Sequence, residues 1–162
     1  MVSRLMTREE ILNDLKDRFK DDIIDVFDKS PKRVYIEIKP DSIVRFAKYV
    51  FRDLGARFNT ASGVDTRQHI EILYHFIIEE INLLISLRVK LPKSKLEIDS
   101  LAPTIEATNW IEREIHELLG VNFKGHPDLR RLLLPDEWPE GVYPLRCDYQ
   151  EWDENAIRDR GV

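Results

Sequence analysis

One cysteine, Cys147, stands alone among 162 residues. A lone thiol excludes a disulfide framework, and it excludes an iron–sulfur cluster or a nickel site, each of which needs several thiolates. It also fits a reducing, cytoplasmic setting. Glutamine is confined to Gln68 and Gln150, while isoleucine occurs seventeen times and 34% of residues are charged. That balance is thermophile-like. No apolar run approaches the ~18 residues of a spanning helix, so no membrane span is expected, and no signal peptide is read at the start. The net charge of −5 weighs against nucleic acid or an anionic membrane surface as the main partner. There is no glycine-rich phosphate loop, no internal repeat and no low-complexity tract.

What is present is enough apolar material for one core: 43% of the chain is hydrophobic, which fits a single domain over 1–162. Thr7 with Glu10 three residues later forms a capping box, Met6 can staple onto Ile11, and Ile11, Leu12, Leu15 and Phe19 give the helix an apolar face. Asp22–Phe27 and Arg33–Ile38 read as strands around a turn at 29–31. A second helix starts near Asp41 or Ser42 and ends at Gly55. Arg57–Val64, His69–Ile78 and Leu83–Leu91 read as three further strands, the last two as a hairpin through Glu79–Asn82. The order α-β-β-α-β-β-β predicts an α+β fold, a mainly antiparallel sheet with helices on one face, occupying 1–92. Residues 93–162 add a short helix and an irregular, proline-rich arm.

The stretch 109–149 dominates that second part. Asn109 is placed as the N-cap, Glu112 at the third helical position and Gly120 as a left-handed stop. A helical wheel gathers Ala107, Ile111, Ile115 and Leu118 on one face, with Trp110 as core and Glu114 buried between Trp110 and Leu118. Arg113 with Glu117, and Glu112 with His116, then pair on the outer face. A buried Glu114 needs a cation, which Arg130, Arg131 or Arg146 could supply. Beyond Gly120 lie four of the eight prolines, yet Phe123, Leu129, Leu132–Leu134, Trp138, Val142, Tyr143 and Leu145 are too apolar for a solvated linker. Such an arm has to lie on its own domain or on another subunit.

Glu112-Arg113-Glu114 on a helix, a glycine after it, then GHPDLRRLLLPDEW (125–138) and YPLRCDY (143–149) resemble the signature of the C-subunit of complex I. That family, the 30 kDa subunit of respiratory NADH dehydrogenase, includes the equivalent subunit of energy-converting membrane-bound [NiFe] hydrogenases. The resemblance implies a small subunit with no cofactor of its own, iron–sulfur clusters and any nickel–iron site residing in its partners. It would brace a large catalytic-type subunit and a cluster-bearing small subunit, peripheral to the cytoplasmic membrane. The short stretch after Tyr149 and the thermophile-like composition favour a ferredoxin-driven hydrogenase or related ion-pumping complex over an NADH- or other donor–quinone oxidoreductase.

The residues expected to meet partners are Glu112, Arg113, Glu114, His126, Pro127, Asp128, Arg130, Arg131, Trp138, Tyr143, Arg146 and Tyr149. Trp138 and Trp152, set among acids and proline, suit interface anchors. His126 is expected to order a turn, its ring aimed at a backbone or carboxylate partner. His69 and His75 fall opposite the apolar row of their strand and read as solvent or interface residues, and Cys147 as a buried or interface thiol. The competing reading is a free-standing metal-dependent hydrolase built on His116 and His126. Against it, the histidine spacing matches no metal pattern and no nucleophile–base pair is visible.

Overall fold

Thr7 opens the first helix as its sequence dictates. In the computed structural model, which describes residues 6–150, the Thr7 hydroxyl accepts the Glu10 N–H at 3.3 Å and the Glu10 carboxylate accepts the Thr7 N–H at 2.8 Å. This closes the capping box on α1 (Arg8–Arg18). Ile11, Leu12, Leu15 and Phe19 are buried; Met6 is not and makes a poor staple. Trp152 lies outside the described residues.

Five strands follow: β1 (Ile23–Ser30), β2 (Arg33–Ile38), β3 (Arg57–Asp65), β4 (His69–Ile78) and β5 (Leu83–Pro92), with α2 (Ile43–Lys48) between β2 and β3. A π-helical turn, Tyr49–Asp53, extends α2, and Gly55 (φ 69°) ends it. The β4–β5 hairpin turns through Asn82 in the left-handed region (φ 51°). The sheet order is β1-β2-β5-β4-β3. All pairings are antiparallel except β2 with β5, which run parallel because β5 returns to the middle after the α2–β3–β4 excursion. Strict alternation puts Ile70, Ile72, Tyr74 and Phe76 of β4 inside, opposite Leu91, Val89, Leu87 and Ile85 of β5, all buried. These inward rows and the buried residues of the helices form one cluster, so the helices share a face of the sheet. On the open face His69 pairs with Glu71 and His75 bonds Ser86, both rings half-buried.

Two short strands, β6 (Glu97–Asp99) and β7 (Asn122–Lys124), pair in parallel with Ile98 opposite Phe123, both buried. Three residues are too few for an alternation pattern to show. This ribbon brackets α3 (Asn109–Leu119) and aims the chain that follows it. Gly63 of β3 allows α3 to approach closely. A Cβ there would lie 2.4 Å from a Leu119 methyl carbon.

Candidate partner interface

Helix α3 is covered on two sides, and that decides the role of every charge on it. The sheet covers Ile115 and Leu119, while the arm lies across Arg113 and Glu117. A wheel that allots one inner face therefore misassigns the acids. Glu112 is fully buried, and Glu117 and Arg113 are 5% and 8% exposed; Trp110, expected in the core, is 70% exposed, and Glu114 is only half-buried. The expected pairs Arg113–Glu117 and Glu112–His116 do not form, and the expected arginine partner of Glu114 is absent among the described residues. Arg130 pairs with Asp128 at 2.9 Å, Arg131 donates to the Pro135 and Asp136 carbonyls, and Arg146 donates to the Leu119 carbonyl.

Asn109 is not the N-cap. A 3-10 turn at Glu106–Thr108 leads straight into the helix, no side chain caps it, and the Thr108 hydroxyl donates to the Ile105 carbonyl. Glu112 reaches the preceding loop instead. Its carboxylate accepts from the Ser100 hydroxyl and from the Leu101 N–H at 2.8 Å. Burial pushes its pKa up to about 7, against the lowering effect of those donors. Tyr74, fully buried in β4, is pushed well above the ordinary phenol range by burial and then by the Glu112 charge. His126 closes this cluster from the arm, its Nε2 3.9 Å from a Glu112 oxygen. As expected, its ring orders a turn. Nδ1 accepts the Asp128 N–H at 3.0 Å and Nε2 donates to the Asn109 carbonyl at 3.0 Å, which selects the Nε2–H tautomer.

The next turn of the helix holds the arm by its backbone. Glu117 accepts the N–H groups of Leu132, Leu133 and Leu134 at 3.0, 2.7 and 3.2 Å. Arg113 donates to the carbonyls of Arg130 and Arg131 at 2.9 and 2.6 Å. An anion and a cation one helical turn apart thus satisfy both kinds of group on a segment with no ladder of its own. His116 donates from Nδ1 to the Val121 carbonyl at 2.8 Å. Further on, Leu145 N–H donates to the Leu118 carbonyl, and the Arg146 guanidinium lies 4.3 Å from the Tyr143 ring centroid. Both side chains cross Gly120, whose φ of 77° is the predicted left-handed stop and where a Cβ would sit 2.5 Å from the guanidinium. Cys147, exposed rather than buried, is pinned by its N–H to Asp65 at 2.8 Å. Burial drives the Asp65 carboxyl upward, but Lys93 and Cys147 together hold it below the ordinary range.

Only the start of the arm joins the core, through Val121, Phe123 and the partly buried Leu129; the rest lies flat on the surface. Its own packing is local: Trp138 donates to the Val142 carbonyl and stacks on Tyr149, and a cleft of about 330 Å³ opens between His116, Arg131, Leu134, Trp138 and Tyr143. Leu133 and Leu145 stay 61% and 59% exposed; Pro127, Asp128 and Arg130 are exposed as well. Of the expected partner-binding set, Glu112, Arg113 and the ring of His126 are turned inward, whereas the others keep some surface. Glu117, absent from that set, is the clamp. Its signal was the run Leu132–Leu134, whose N–H groups need acceptors that a proline-rich arm cannot provide. Among the described residues no three His, Cys, Asp or Glu side chains converge as a metal-binding group, and no helix is long and apolar enough to cross a membrane.

A family model described as the 30 kDa subunit of respiratory-chain NADH dehydrogenase matches residues 36–155. The chain belongs to that family. It is 31% identical over 159 residues to the C-subunit of the F(420)H(2) dehydrogenase of Methanosarcina mazei, covering 95% of this chain and 99% of that one. It is 30% identical over 148 residues to hydrogenase-4 component G of Escherichia coli, covering 89% of this chain but 27% of that longer one. A chain of the archaeal membrane-bound sulfane sulfur reductase superposes with a TM-score of 0.78 at 21% identity, over 89% of this chain and 86% of that one, and shares the fold. As a member of the 30 kDa family this chain is a subunit of a complex I-like membrane oxidoreductase.

Proposed function

We propose that this chain is a non-catalytic brace in the peripheral part of that complex, on the cytoplasmic side. It lies between a large catalytic-type subunit and a cluster-bearing small subunit and carries no metal or flavin itself. The observation that supports this most is the construction of the arm. Arg113 and Glu117 hold its backbone in place, which leaves Leu133, Leu145, Trp138 and Tyr143 with surface to offer. An apolar ribbon ordered in advance loses little further entropy on docking. In hydrogenase-4 component G the matching region is about a quarter of a longer chain. The same module makes up nearly the whole of the F(420)H(2) dehydrogenase chain, and a module found both joined to further polypeptide and as a chain of its own is suited to lasting contact with another part of its complex.

The hydrogenase relative supports placing the chain in a ferredoxin-driven hydrogenase or a related ion-pumping complex. A second reading, a donor–acceptor dehydrogenase, is favoured by the end-to-end match to the F(420)H(2) dehydrogenase chain. Mass spectrometry of the subunits that co-purify with the tagged chain separates them. A nickel-bearing large subunit is expected for the first reading, and a donor-oxidising flavin subunit for the second. Recovery of the chain alone from gently solubilised membranes would overturn the brace itself. Metal analysis of the isolated chain tests its lack of cofactors; stoichiometric metal that survives chelation and is lost in His116→Ala or His126→Ala would overturn that part.

A further inference from the structure

One flank of α3 stays open where the sheet and the returning arm border it without meeting. There a cavity of about 170 Å³ is bounded by Ala61 and Gly63 of β3, by Ile111, Glu114 and Leu118 of α3, and by Leu145 of the returning arm. Trp110 stands beside Ile111 at the start of the same helix, 70% exposed, and Val64 next to Gly63 is 47% exposed. The lining side chains are mostly apolar, with Ser62 a neutral polar member and Glu114 the single charge. The other two carboxylates of α3 are satisfied inside, by Ser100 and Leu101 for Glu112 and by Leu132–Leu134 for Glu117. Glu114 has no ion pair or hydrogen-bond partner for its carboxylate among the described residues.

We propose that this groove is a second docking surface, and that its occupant is a segment of a partner subunit presenting an apolar side chain to the cavity and an arginine or lysine to Glu114. The inference rests on the subunit reading above. Two observations fix the chemistry of the occupant. A carboxylate at the lip of an apolar groove is stranded when uncharged surface covers it. Among the described residues Glu114 lacks the N–H donors of its own chain that satisfy Glu112 and Glu117, so a cation on the covering segment is the partner that both bonds and neutralises it. The pair it forms is a charge-assisted hydrogen bond shielded from water by Leu145 and the covering segment itself, with Trp110 one helical turn before Glu114 on the same flank, the arrangement in which such pairs confer specificity. Leu145 also belongs to the arm, so the groove continues the arm's surface on the other side of the helix, and one partner can grip α3 from both.

The test uses the whole tagged chain within its own complex. A benzophenone amino acid replaces Trp110, the purified complex is irradiated, and the linked peptides are sequenced. The expected product joins position 110 to a peptide of another subunit that has Arg or Lys within about one helical turn of the linked residue. In parallel, Glu114→Arg should lower recovery of that subunit about tenfold or more and Glu114→Gln by less, while both isolated chains keep the wild-type thermal midpoint. Reversing the identified basic residue to Glu should restore recovery with Glu114→Arg. Cross-links confined to this chain, its residues 151–162 included, or to lipid, or to a peptide without a basic residue, overturn the proposal. So does wild-type recovery with Glu114→Arg, or an intact complex giving no link from position 110. If the unmodified tagged chain recovers no other subunit, the subunit reading falls and takes this one with it.

Discussion

Strand β4 and the segment Leu132–Leu134 are equally apolar on paper, yet the fold treats them in opposite ways. In β4 the side chains of Ile70, Ile72, Tyr74 and Phe76 are fully buried, and the backbone is bonded to strands on both sides. In the arm all three leucine N–H groups go to one carboxylate, and the side chains are left half-buried or, at Leu133, 61% exposed. The core is held by its side chains and the arm by its backbone. A segment held by its backbone keeps its side chains for another molecule, which is what a subunit with an unshared surface requires.

The largest expected effect lies on the core side of that contrast. Phe46 is fully buried and stacks on Phe19 with ring centroids 4.2 Å apart. Phe46→Ala should cost about 3–5 kcal/mol in denaturant unfolding and lower core and arm together. Loss of arm structure alone would break the contrast.

Glu117→Ala should act on the arm alone. The amides of Leu132, Leu133 and Leu134 should exchange faster by a factor corresponding to about 1.5–3 kcal/mol, the worth of hydrogen bonds to a charged group, while β4 amides keep their protection. Equal loss in both regions would show that arm and core unfold as one unit.

Glu112 sharpens the comparison through pH. Its folded pKa is raised from 4.5 to about 7, so between those values the unfolded chain releases a proton that the folded chain keeps. Stability falls as pH rises through that window, and the loss is complete above the folded value. Glu112→Gln should abolish this fall. The variant should match the wild type near pH 4 and exceed it by roughly 3 kcal/mol near pH 8. A wild-type midpoint that rises from pH 5 to 8 faster than that of Glu112→Gln would contradict the burial penalty.

The smallest effect belongs to Glu114. In the isolated chain Glu114→Ala should change stability by less than about 0.5 kcal/mol, since its carboxylate has no partner among the described residues. A loss as large as that of Glu117→Ala would mean that Glu114 is paired within the chain, as its place between Trp110 and Leu118 in sequence suggests.

Most of the sheet was legible because its strands obey a period of two. The bounds Arg33–Ile38 and His69–Ile78 are read directly from alternation, and the α1 capping box from two residues. The parallel β2–β5 pairing was not legible, since alternation fixes which way a side chain points but not which strand lies beside it. The β6–β7 ribbon is too short to register. The site was half legible. The apolar arm, its proline stops, the turn at His126 and the inward Ile111 and Ile115 of α3 show in the sequence, but the acids and Trp110 of α3 were misplaced, because a helical wheel assumes one buried face and this helix has two.

By itself, the sequence determined the α+β core, the left-handed stop at Gly120, the presence of an arm too apolar to be solvated, and the family to which the chain belongs. These are local or periodic properties, set by residue type and spacing along the chain. The tertiary structure alone decided which acids of α3 are buried. That depends on where the arm lands, a contact between residues fifteen to seventeen positions apart in the case of Glu117. No periodicity encodes such a contact. It follows from the need of Leu132, Leu133 and Leu134 for an acceptor and from the place where the turn at His126 sets them down.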